Sequence, residues 1–241
     1  MKRLLLLPAL LITSVAFGAD DLSNIQARGT LLFSDDFNRT ESEPAKEEVG
    51  NGWTTNSASR AQGVKQVSLI NNAMSVTKAS VADHGVSVAH AAEFQDGAIA
   101  MRLKLEVGDN FAIDFADMQC KSVHAGHLFK AGFAVSGVRV TDTKMGEMDN
   151  AVRERRMAGT KTPEDVALLK TKTRVFPQPL AAVQWHDVLV VVEGDAIRVN
   201  LDSKALGELK SEGFAHPTKR LIRLAVEKSA LVDDVHVWKL K

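Results

Sequence analysis

The chain has 241 residues, of which 45% are hydrophobic and 25% are charged, and its 30 basic side chains are balanced by 30 acidic ones. This ordinary globular composition excludes a disordered tail protein, a collagen-like repeat and a disulfide scaffold. The even charge balance argues against a nucleic-acid-binding protein, which normally carries a basic surplus or a clustered basic face.

The first 18 residues have the pattern of a secretory signal peptide. Lys2 and Arg3 are followed by an uncharged apolar stretch over 4–17, and small residues precede the expected cleavage after Gly18. A membrane anchor is the weaker alternative, because this apolar stretch is shorter than the ~20 residues that a spanning helix needs. We therefore predict an exported protein, periplasmic or extracellular, with a single domain over 19–241 and no transmembrane anchor.

Most of the chain after residue 30 alternates apolar and polar side chains over short segments. In 98–107, Ile99, Met101 and Leu103 alternate with polar residues, a period of two that is typical of a half-buried antiparallel strand. Asn71-Asn72 and Gly194-Asp195 predict hairpin turns. Further strands are predicted at 31–33, 66–70, 73–77, 86–90, 111–115, 127–135, 138–141, 188–193, 196–201, 221–227 and 232–240. This pattern predicts an all-β antiparallel sandwich or jelly roll.

One charged segment, 145–172, interrupts the strands and carries helix signals. Thr162 is a typical N-cap residue, Pro163 suits the first helical position, and acidic residues follow in the first turn. We predict helical structure over 147–158 and 163–171, inserted between two strands of the sandwich. The insertion is either a solvated surface excursion or a lid over the concave face of the sandwich.

The densest group of chemically reactive side chains occupies 14 positions in the middle of the chain: Asp114, Asp117, Cys120, His124 and His127. Carboxylate and imidazole groups serve general acid–base catalysis near neutral pH. Asp114, Asp117 and His127 are therefore candidate catalytic residues, although a spacing of three places the two aspartates on opposite faces of a strand. The alternative is a set of scattered polar loop residues, with Cys120 as a small buried hydrophobe.

Two further residues are expected to approach this group from neighbouring strands. His186 is a candidate catalytic residue, but it cannot pair with Asp187, because adjacent residues of a strand point to opposite faces. Lys144 is a candidate substrate-binding residue. In the alternative interpretation, Trp185 packs in the core and His186 faces solvent or the concave surface.

Metal binding has two candidate sets. His124, His127 and Asp117 are of ligand type, although their spacing matches no standard zinc pattern. The pairs Asp35-Asp36 and Asp233-Asp234 lie near the two ends of the chain, where paired first and last strands would gather four carboxylates. Ca²⁺ prefers such oxygen ligands. The alternative is that one acid of each pair lies at a turn or faces a basic side chain.

The aromatic residues limit how a sugar is recognised. The sequence has three Trp and no Tyr, although sugar sites usually present an exposed aromatic face. Trp185 and Trp238 are expected in the core because of their places in predicted strands. Trp53, in a Gly-rich loop, is expected to be free to stack on a ligand and is a candidate substrate-binding residue.

Several motifs resemble those of a known group of secreted bacterial domains. The opening Phe33-Ser34-Asp35-Asp36-Phe37 resembles the start of proteins with the concanavalin A-like lectin/glucanase fold. Three later segments, 185–188, 216–219 and 232–238, are similar to the terminal hairpins of 3-keto-disaccharide hydrolase-like domains, some of which carry family-16 glycoside hydrolase labels. The resemblance implies a jelly-roll sandwich with a hydrolase-like function and a carbohydrate or cell-surface glycan as its partner.

The sequence departs from this group where a glucanase would carry its catalytic residues. Family-16 glucanases have a Glu-x-Asp-x-x-Glu strand motif, and retaining hydrolysis needs its two carboxyls ~5 Å apart. The chain has no such motif. A non-catalytic carbohydrate or cell-surface binding module and a structural envelope protein are therefore the alternatives. An enzyme predicts ionisable groups converging in one pocket, a binding module an exposed aromatic, and a structural protein neither.

Overall fold

The structure is a computed structural model that describes residues 21–241, so the signal peptide predicted over 1–18 lies outside the described residues. The helices are α1 Leu22–Arg28, α2 Ser57–Arg60, α3 Asn150–Met157 and α4 Pro163–Thr171. The strands are β1 Gly29–Asp35, β2 Thr54–Thr55, β3 Val67–Ile70, β4 Ala73–Thr77, β5 Val86–Phe94, β6 Gly97–Lys104, β7 Asn110–Ala116, β8 His127–Ala134, β9 Gly137–Asp142, β10 Thr173–Phe176, β11 Trp185–Glu193, β12 Ala196–Leu201, β13 Lys204–Lys210, β14 Lys219–Val226 and β15 Ser229–Leu240. In this described part, no helix is long and apolar enough to span a bilayer.

The strands form two antiparallel sheets that pack face to face. The eight-stranded sheet has the order β13-β12-β11-β6-β15-β4-β3, and β1 also pairs with β15. The seven-stranded sheet has the order β10-β9-β8-β7-β14-β5-β2. Neighbouring strands are often distant in sequence, as β7 and β14 are, so long connections cross the ends of the sandwich. The predicted antiparallel β-sandwich is confirmed.

Alternation along the strands of the seven-stranded sheet separates the core from an outer face. On β7 and β8, Phe111, Phe115 and Phe133 are at most 1% exposed and point into the core between the sheets. Burial of each such side chain contributes roughly 1.5–3 kcal/mol. The residues between them, among them Ala112 and Asp114, point to the outer face, because successive side chains of a strand alternate.

The helical insertion leaves the sandwich and returns to it at one place. Thr141 of β9 pairs with Thr173 of β10, and Lys172 accepts a backbone hydrogen bond from Asp142 at 2.9 Å, so 143–171 is an excursion from a hairpin. Asp149 caps α3 and Thr162 caps α4, the latter in a reciprocal capping box. The two predicted helices and the insertion are confirmed.

An ion pair holds the two inserted helices together. The Arg155 guanidinium of α3 donates to both carboxylate oxygens of Asp165 on α4, at 2.7 and 2.5 Å. The bond from Arg155, with backbone bonds at the helix start, lowers the pKa of Asp165 to about 2. The insertion is therefore a defined element rather than a loose loop.

Some elements carry too weak a sequence pattern to be predicted. β13 is an edge strand with half-exposed residues and Gly207 in its middle, so its alternation is blurred. α1 precedes the first predicted strand and packs Ile25 against Trp238 on the outer face of the eight-stranded sheet. Neither element belongs to the face described next.

Candidate functional site

The outer face of the seven-stranded sheet and the insertion enclose a cleft of about 650 Å³. Its floor is a row of small residues in direct register, Gly132 of β8, Ala112 of β7, Ala225 of β14 and Ser87 of β5. Thr143 and Met148 contribute a wall from the insertion side. Because the floor side chains are so short, a ligand can approach the backbone of the sheet.

Charged residues form the next row across the same face. Lys130, Asp114 and Arg223 stand opposite one another on β8, β7 and β14. Arg223 Nη1 donates to Asp114 Oδ2 at 3.1 Å, and His127 Nδ1 donates to the same oxygen at 2.9 Å. Arg223 also donates to the carbonyl of Ala125 at 2.8 Å, which fixes the loop that precedes His127. Two of the predicted catalytic residues, Asp114 and His127, therefore lie together in the cleft.

A β-bulge brings His127 onto this face. Phe115 pairs with Phe129, but the next residue of β7, Ala116, pairs with His127, so β8 carries Leu128 as an extra residue. Leu128 and Phe129 are both fully buried. A bulge changes the direction of the side chains beyond it, so the alternation of side chains along β8 is reversed at this point. His127 therefore points to the same side of the sheet as Asp114.

Two buried polar atoms lie in the cleft lining without a protein partner. The Asp114 side chain is 6% exposed, and its Oδ1 has no hydrogen bond, whereas Oδ2 accepts two. Thr143 is 1% exposed, and its Oγ1 is also unpartnered. Buried polar groups are nearly always hydrogen-bonded, and leaving one unpaired costs roughly 1–3 kcal/mol. Both oxygens are closed to solvent, so a ligand or ordered water in the cleft would reach them only after the two side chains rotate.

The outer face of β7 carries a single acid where retaining hydrolysis needs two. Ala112 is the next residue on the same side of the strand as Asp114, about 7 Å away along it. Glu227 also lines the cleft, but it lies four residues beyond Arg223, which places its Cα about 14 Å from that of Asp114. Retaining glycosidases need carboxyls ~5 Å apart.

Asp117 is held in a separate network beyond the end of β7. Its Oδ2 accepts from Arg220 Nη1 at 2.6 Å and from His216 Nε2 at 3.1 Å, and Lys144 Nζ donates to His216 Nδ1 at 3.2 Å. Its Oδ1 accepts from the backbone of Gln119. The predicted separation of Asp114 from Asp117 agrees with these separate sets of partners. Lys144 approaches Asp117 through His216 and is not among the residues that line the cleft.

The network around Asp117 shifts the pKa of two of its members. Burial alone would raise the pKa of Asp117, but its bonds with His216 and Gln119 and the charge of Arg220 outweigh burial and lower it. Burial, together with the charge of Lys144, lowers the pKa of His216 despite the bond to Asp117. Both shifts favour a charged carboxylate beside a neutral imidazole.

His186 does not approach this group, which corrects the expectation. It lies on β11 of the eight-stranded sheet, 7% exposed. Its Nδ1 donates to Asp202 Oδ2 at 2.7 Å and its Nε2 donates to the carbonyl of Ala181 at 3.0 Å. Both ring nitrogens are occupied, so His186 anchors local loops of the other sheet.

Trp53 is buried, so the expectation of an exposed stacking surface is wrong. The indole is 7% exposed, packs beside Phe33 and Phe37, and donates from Nε1 to Asp35 Oδ2 at 2.8 Å. The Gly-rich loop folds the indole inward because Asp35 offers it a buried acceptor. Trp238 is buried as predicted, whereas Trp185 is half-buried beneath the Arg102 guanidinium.

The residues named for metal binding are not arranged to hold an ion. Two members of the candidate set with His124 are engaged elsewhere. His127 bonds to Asp114, whereas Asp117 bonds to His216, so the two do not share a site. In the acid pairs, Asp35 faces Arg39 at 2.6 Å and Asp233 faces Arg102 at 3.2 Å, as the alternative interpretation has it. Over 21–241, no group of three or more His, Cys, Asp or Glu residues fits a metal ion.

Sequence reasoning missed three residues of the site. Arg223 is an ordinary polar position of an alternating strand, and Thr143 falls between the predicted strand at 138–141 and the insertion at 145–172, so neither residue carries a sequence signal of function. His216 enters the sequence analysis only within the segment 216–219 that carries a family resemblance. Only the register of β14 beside β7 places Arg223 against Asp114.

Comparisons with known proteins bear on the fold. No protein-family model matches the chain, and no curated protein matches it. Among solved structures, the laminarinase from Rhodothermus marinus is 13% identical with a TM-score of 0.56, covering 88% of this chain and 98% of its own. The endo-β-1,3-glucanase from Pyrococcus furiosus is 14% identical with a TM-score of 0.53, and the match covers 90% of this chain and 97% of the glucanase chain.

A binding module has a similar structure. The carbohydrate-binding module CBM66 from Bacillus subtilis is 11% identical with a TM-score of 0.51, covering 78% of this chain and 96% of its own. At such identities the likeness concerns the fold, and it supports the predicted jelly-roll sandwich. The narrower resemblance to 3-keto-disaccharide hydrolase-like domains stays a prediction.

Proposed function

We propose that the cleft binds a glycan and that this chain is an exported, carbohydrate-directed domain. The observation that carries the proposal is the pair of buried, unpartnered oxygens, Asp114 Oδ1 and Thr143 Oγ1, in one cleft. Sugar hydroxyls are suitable partners, because each both donates and accepts hydrogen bonds. The names of the similar structures, two glucanases and a carbohydrate-binding module, support the same class of ligand.

The shape of the floor also suits a sugar chain. Gly132, Ala112 and Ala225 present almost no side chain, so pyranose rings have room to lie along the row. The aromatic rings of the lining, Phe111 and Phe133, are at most 1% exposed and point into the core. Recognition would therefore depend on hydrogen bonds to Asp114, Thr143 and their neighbours rather than on stacking.

Conservative variants of the two unpartnered residues test this proposal. Asp114→Asn and Thr143→Val keep the side-chain size, and each should weaken glycan binding about tenfold, since a hydrogen bond to a ligand is worth roughly 1 kcal/mol or more. Thr77→Val, on the exposed end of β4 in the other sheet, is the matched control. Binding is measured by calorimetry after a glycan array has identified ligands. Wild-type affinity in both cleft variants, or no glycan bound at all, would overturn the proposal.

A second candidate, hydrolysis of a glycoside, is favoured by the state of His127. Its Nδ1 lies 2.9 Å from Asp114 Oδ2 and 3.3 Å from Arg223 Nη1, and its Nε2 has no partner among the described residues. The shorter contact to the carboxylate favours the tautomer with the proton on Nδ1, which leaves the lone pair of Nε2 free. An imidazole fixed by a carboxylate at one nitrogen and free at the other has the geometry of a general base. In this candidate Nε2 takes a proton from water, the water oxygen bonds to the anomeric carbon, and the glycosidic C–O bond breaks. The departing sugar oxygen takes up a proton from a solvent water, and the imidazolium then returns its proton to solvent.

An activity assay on glycosides and 3-keto-glycosides separates binding from catalysis. If the chain is a hydrolase, His127→Gln should lower kcat by ~10²-fold or more, as removal of a general base does. KM should change little, and the variant should still bind the ligand. His236→Gln, on β15 of the other sheet, is the matched control and should keep the wild-type kcat. Glycan binding without turnover by the wild-type protein would leave the binding module as the function.

A further inference from the structure

The charged side chains of the cleft are unevenly paired. Lys130 is bound to Glu147 of the insertion at 2.9 Å, and Arg223 to Asp114 at 3.1 Å. Arg139 of β9 also lines the cleft, and it makes no hydrogen bond or ion pair with any described residue. The cleft wall next to the insertion therefore presents an exposed cation whose charge no carboxylate of residues 21–241 neutralises.

The register of the sheet sets the position of this cation. Arg139 lies opposite Gly132 on one side and Val175 of β10 on the other, in the same row as Ala112. The residues directly opposite it carry no charge, and Gly132 leaves the space towards the floor open. Strand spacing places its Cα about 12 Å from that of Asp114, more than the width of one sugar ring.

The other unpaired charge lies at the far end of the cleft. Glu227 makes no hydrogen bond or ion pair with any residue of the described part, and its carboxylate lies over Gly85, where a Cβ would be 2.7 Å from Oε1. Arg139 and Glu227 are separated by the width of β8, β7 and β14. The cleft therefore has a positive and a negative end, which gives a bound chain a preferred direction.

From this arrangement we infer that the glycan is anionic, with a uronate carboxylate or a sulfate group bound by Arg139 while a neighbouring sugar residue contacts Asp114. This inference rests on the proposed glycan-binding function and adds the class of the ligand. A guanidinium binds planar carboxylates and sulfates through two parallel hydrogen bonds, and it does so most strongly where no internal acid competes. Asp114 does not repel such a ligand, because Arg223 and His127 already contact it.

Calorimetry with matched sugars tests the inference. Hexagalacturonate, its fully methyl-esterified form, a sulfated galactan hexasaccharide and neutral laminarihexaose are titrated into the full chain. We expect an anionic sugar to bind at least tenfold more tightly than both uncharged ones, and 0.5 M NaCl to remove most of the difference by screening. Carboxylate and sulfate ligands are told apart by which of the two anionic sugars binds more tightly.

Variants of Arg139 test whether this residue causes the tighter binding of anionic sugars. Arg139→Gln should weaken binding of the anionic sugar about tenfold and leave the uncharged sugars unaffected, and Arg139→Lys should fall between. Lys239→Gln, an exposed position on β15 of the other sheet, removes the same charge from the protein and should change nothing. Equal or tighter binding of the uncharged sugars, or wild-type affinity in Arg139→Gln, would overturn the inference while the proposed function stands. Binding of none of the four sugars, together with none on an array of neutral and anionic glycans, would overturn both.

Discussion

His186, which is buried, and His216, which is half-buried, have pKa values that are shifted in opposite directions. His216 is held neutral by burial and by Lys144, which lower its pKa. Burial alone would lower the pKa of His186 too, but its bonds to Asp202 and to the carbonyl of Ala181 outweigh burial and raise it. The two residues therefore contribute to stability on opposite sides of neutral pH.

Replacing each histidine by glutamine should reveal this difference. The pKa of His216 is lowered on folding, so its favourable contribution is lost as the pH falls below the unfolded value of 6.5, and His216→Gln should cost more stability at pH 8 than at pH 5. The raised pKa of His186 gives the reverse order, with a greater cost at pH 5. Urea unfolding of the wild type and of both variants at pH 5 and pH 8 measures the four changes in unfolding free energy. The same pH trend in both variants would contradict the opposite pKa shifts assigned to His216 and His186.

Lys219 is a fully buried cation whose hydrogen-bond acceptors within 21–241 are backbone carbonyls, and it also lies over the Phe129 ring. Its Nζ donates to the carbonyls of Gln95, Phe214 and His216, and burial lowers its pKa to about 8. Lys219→Met should destabilise the fold by about 3 kcal/mol or more, because three buried acceptors lose their donor at roughly 1–3 kcal/mol each. Lys239→Met, on the exposed side of β15, should change the unfolding free energy by less than about 0.5 kcal/mol. Equal unfolding free energies for the two variants would show that the carbonyls find other partners.

At the scale of single elements, the sequence predicts strands better than their irregularities. The alternation in β6 and the turns at Asn71-Asn72 and Gly194-Asp195 identify strands and hairpins from local residue preferences alone. The bulge at Leu128 has no such local signal, because its neighbours are an ordinary apolar run. Asp114 and His127 were therefore recognised by their chemistry, whereas their contact depends on a feature that only the structure provides.

The insertion is an element that the sandwich should tolerate losing. A Cβ on Gly146 would lie 3.4 Å from the Cβ of Lys172, so the two ends of 147–171 are close enough for two glycines to join them. The shortened chain should unfold cooperatively and lose only about 2 kcal/mol, chiefly from the buried Val152. Its affinity for the glycan should fall, because Met148 and the support for Thr143 are gone. Chemical unfolding and calorimetry measure the two effects, and loss of cooperative folding would show that the insertion belongs to the core.

At the scale of the whole molecule, composition and alternation predict the architecture, but not which residues share a face. The antiparallel sandwich follows from strands without intervening helices, and the charged segment at 145–172 stands out by composition. Trp53 and His186 were misplaced because their environment depends on distant partners, Asp35 and Asp202. Arg139 and Arg223 join the site only through strand order, which local sequence does not encode.

The central claim is that the outer face of the seven-stranded sheet is the glycan-binding surface, and amide chemical shifts test it most directly. Isotope-labelled protein is titrated with the sugar that binds most tightly, and backbone amide signals are followed by NMR. The account predicts saturable shifts at Ala112, Gly132 and Ala225 on the cleft floor, with no change around His236 and Trp238 on the opposite sheet. Shifts confined to His236, Trp238 and their neighbours, with the floor signals unmoved, would contradict it.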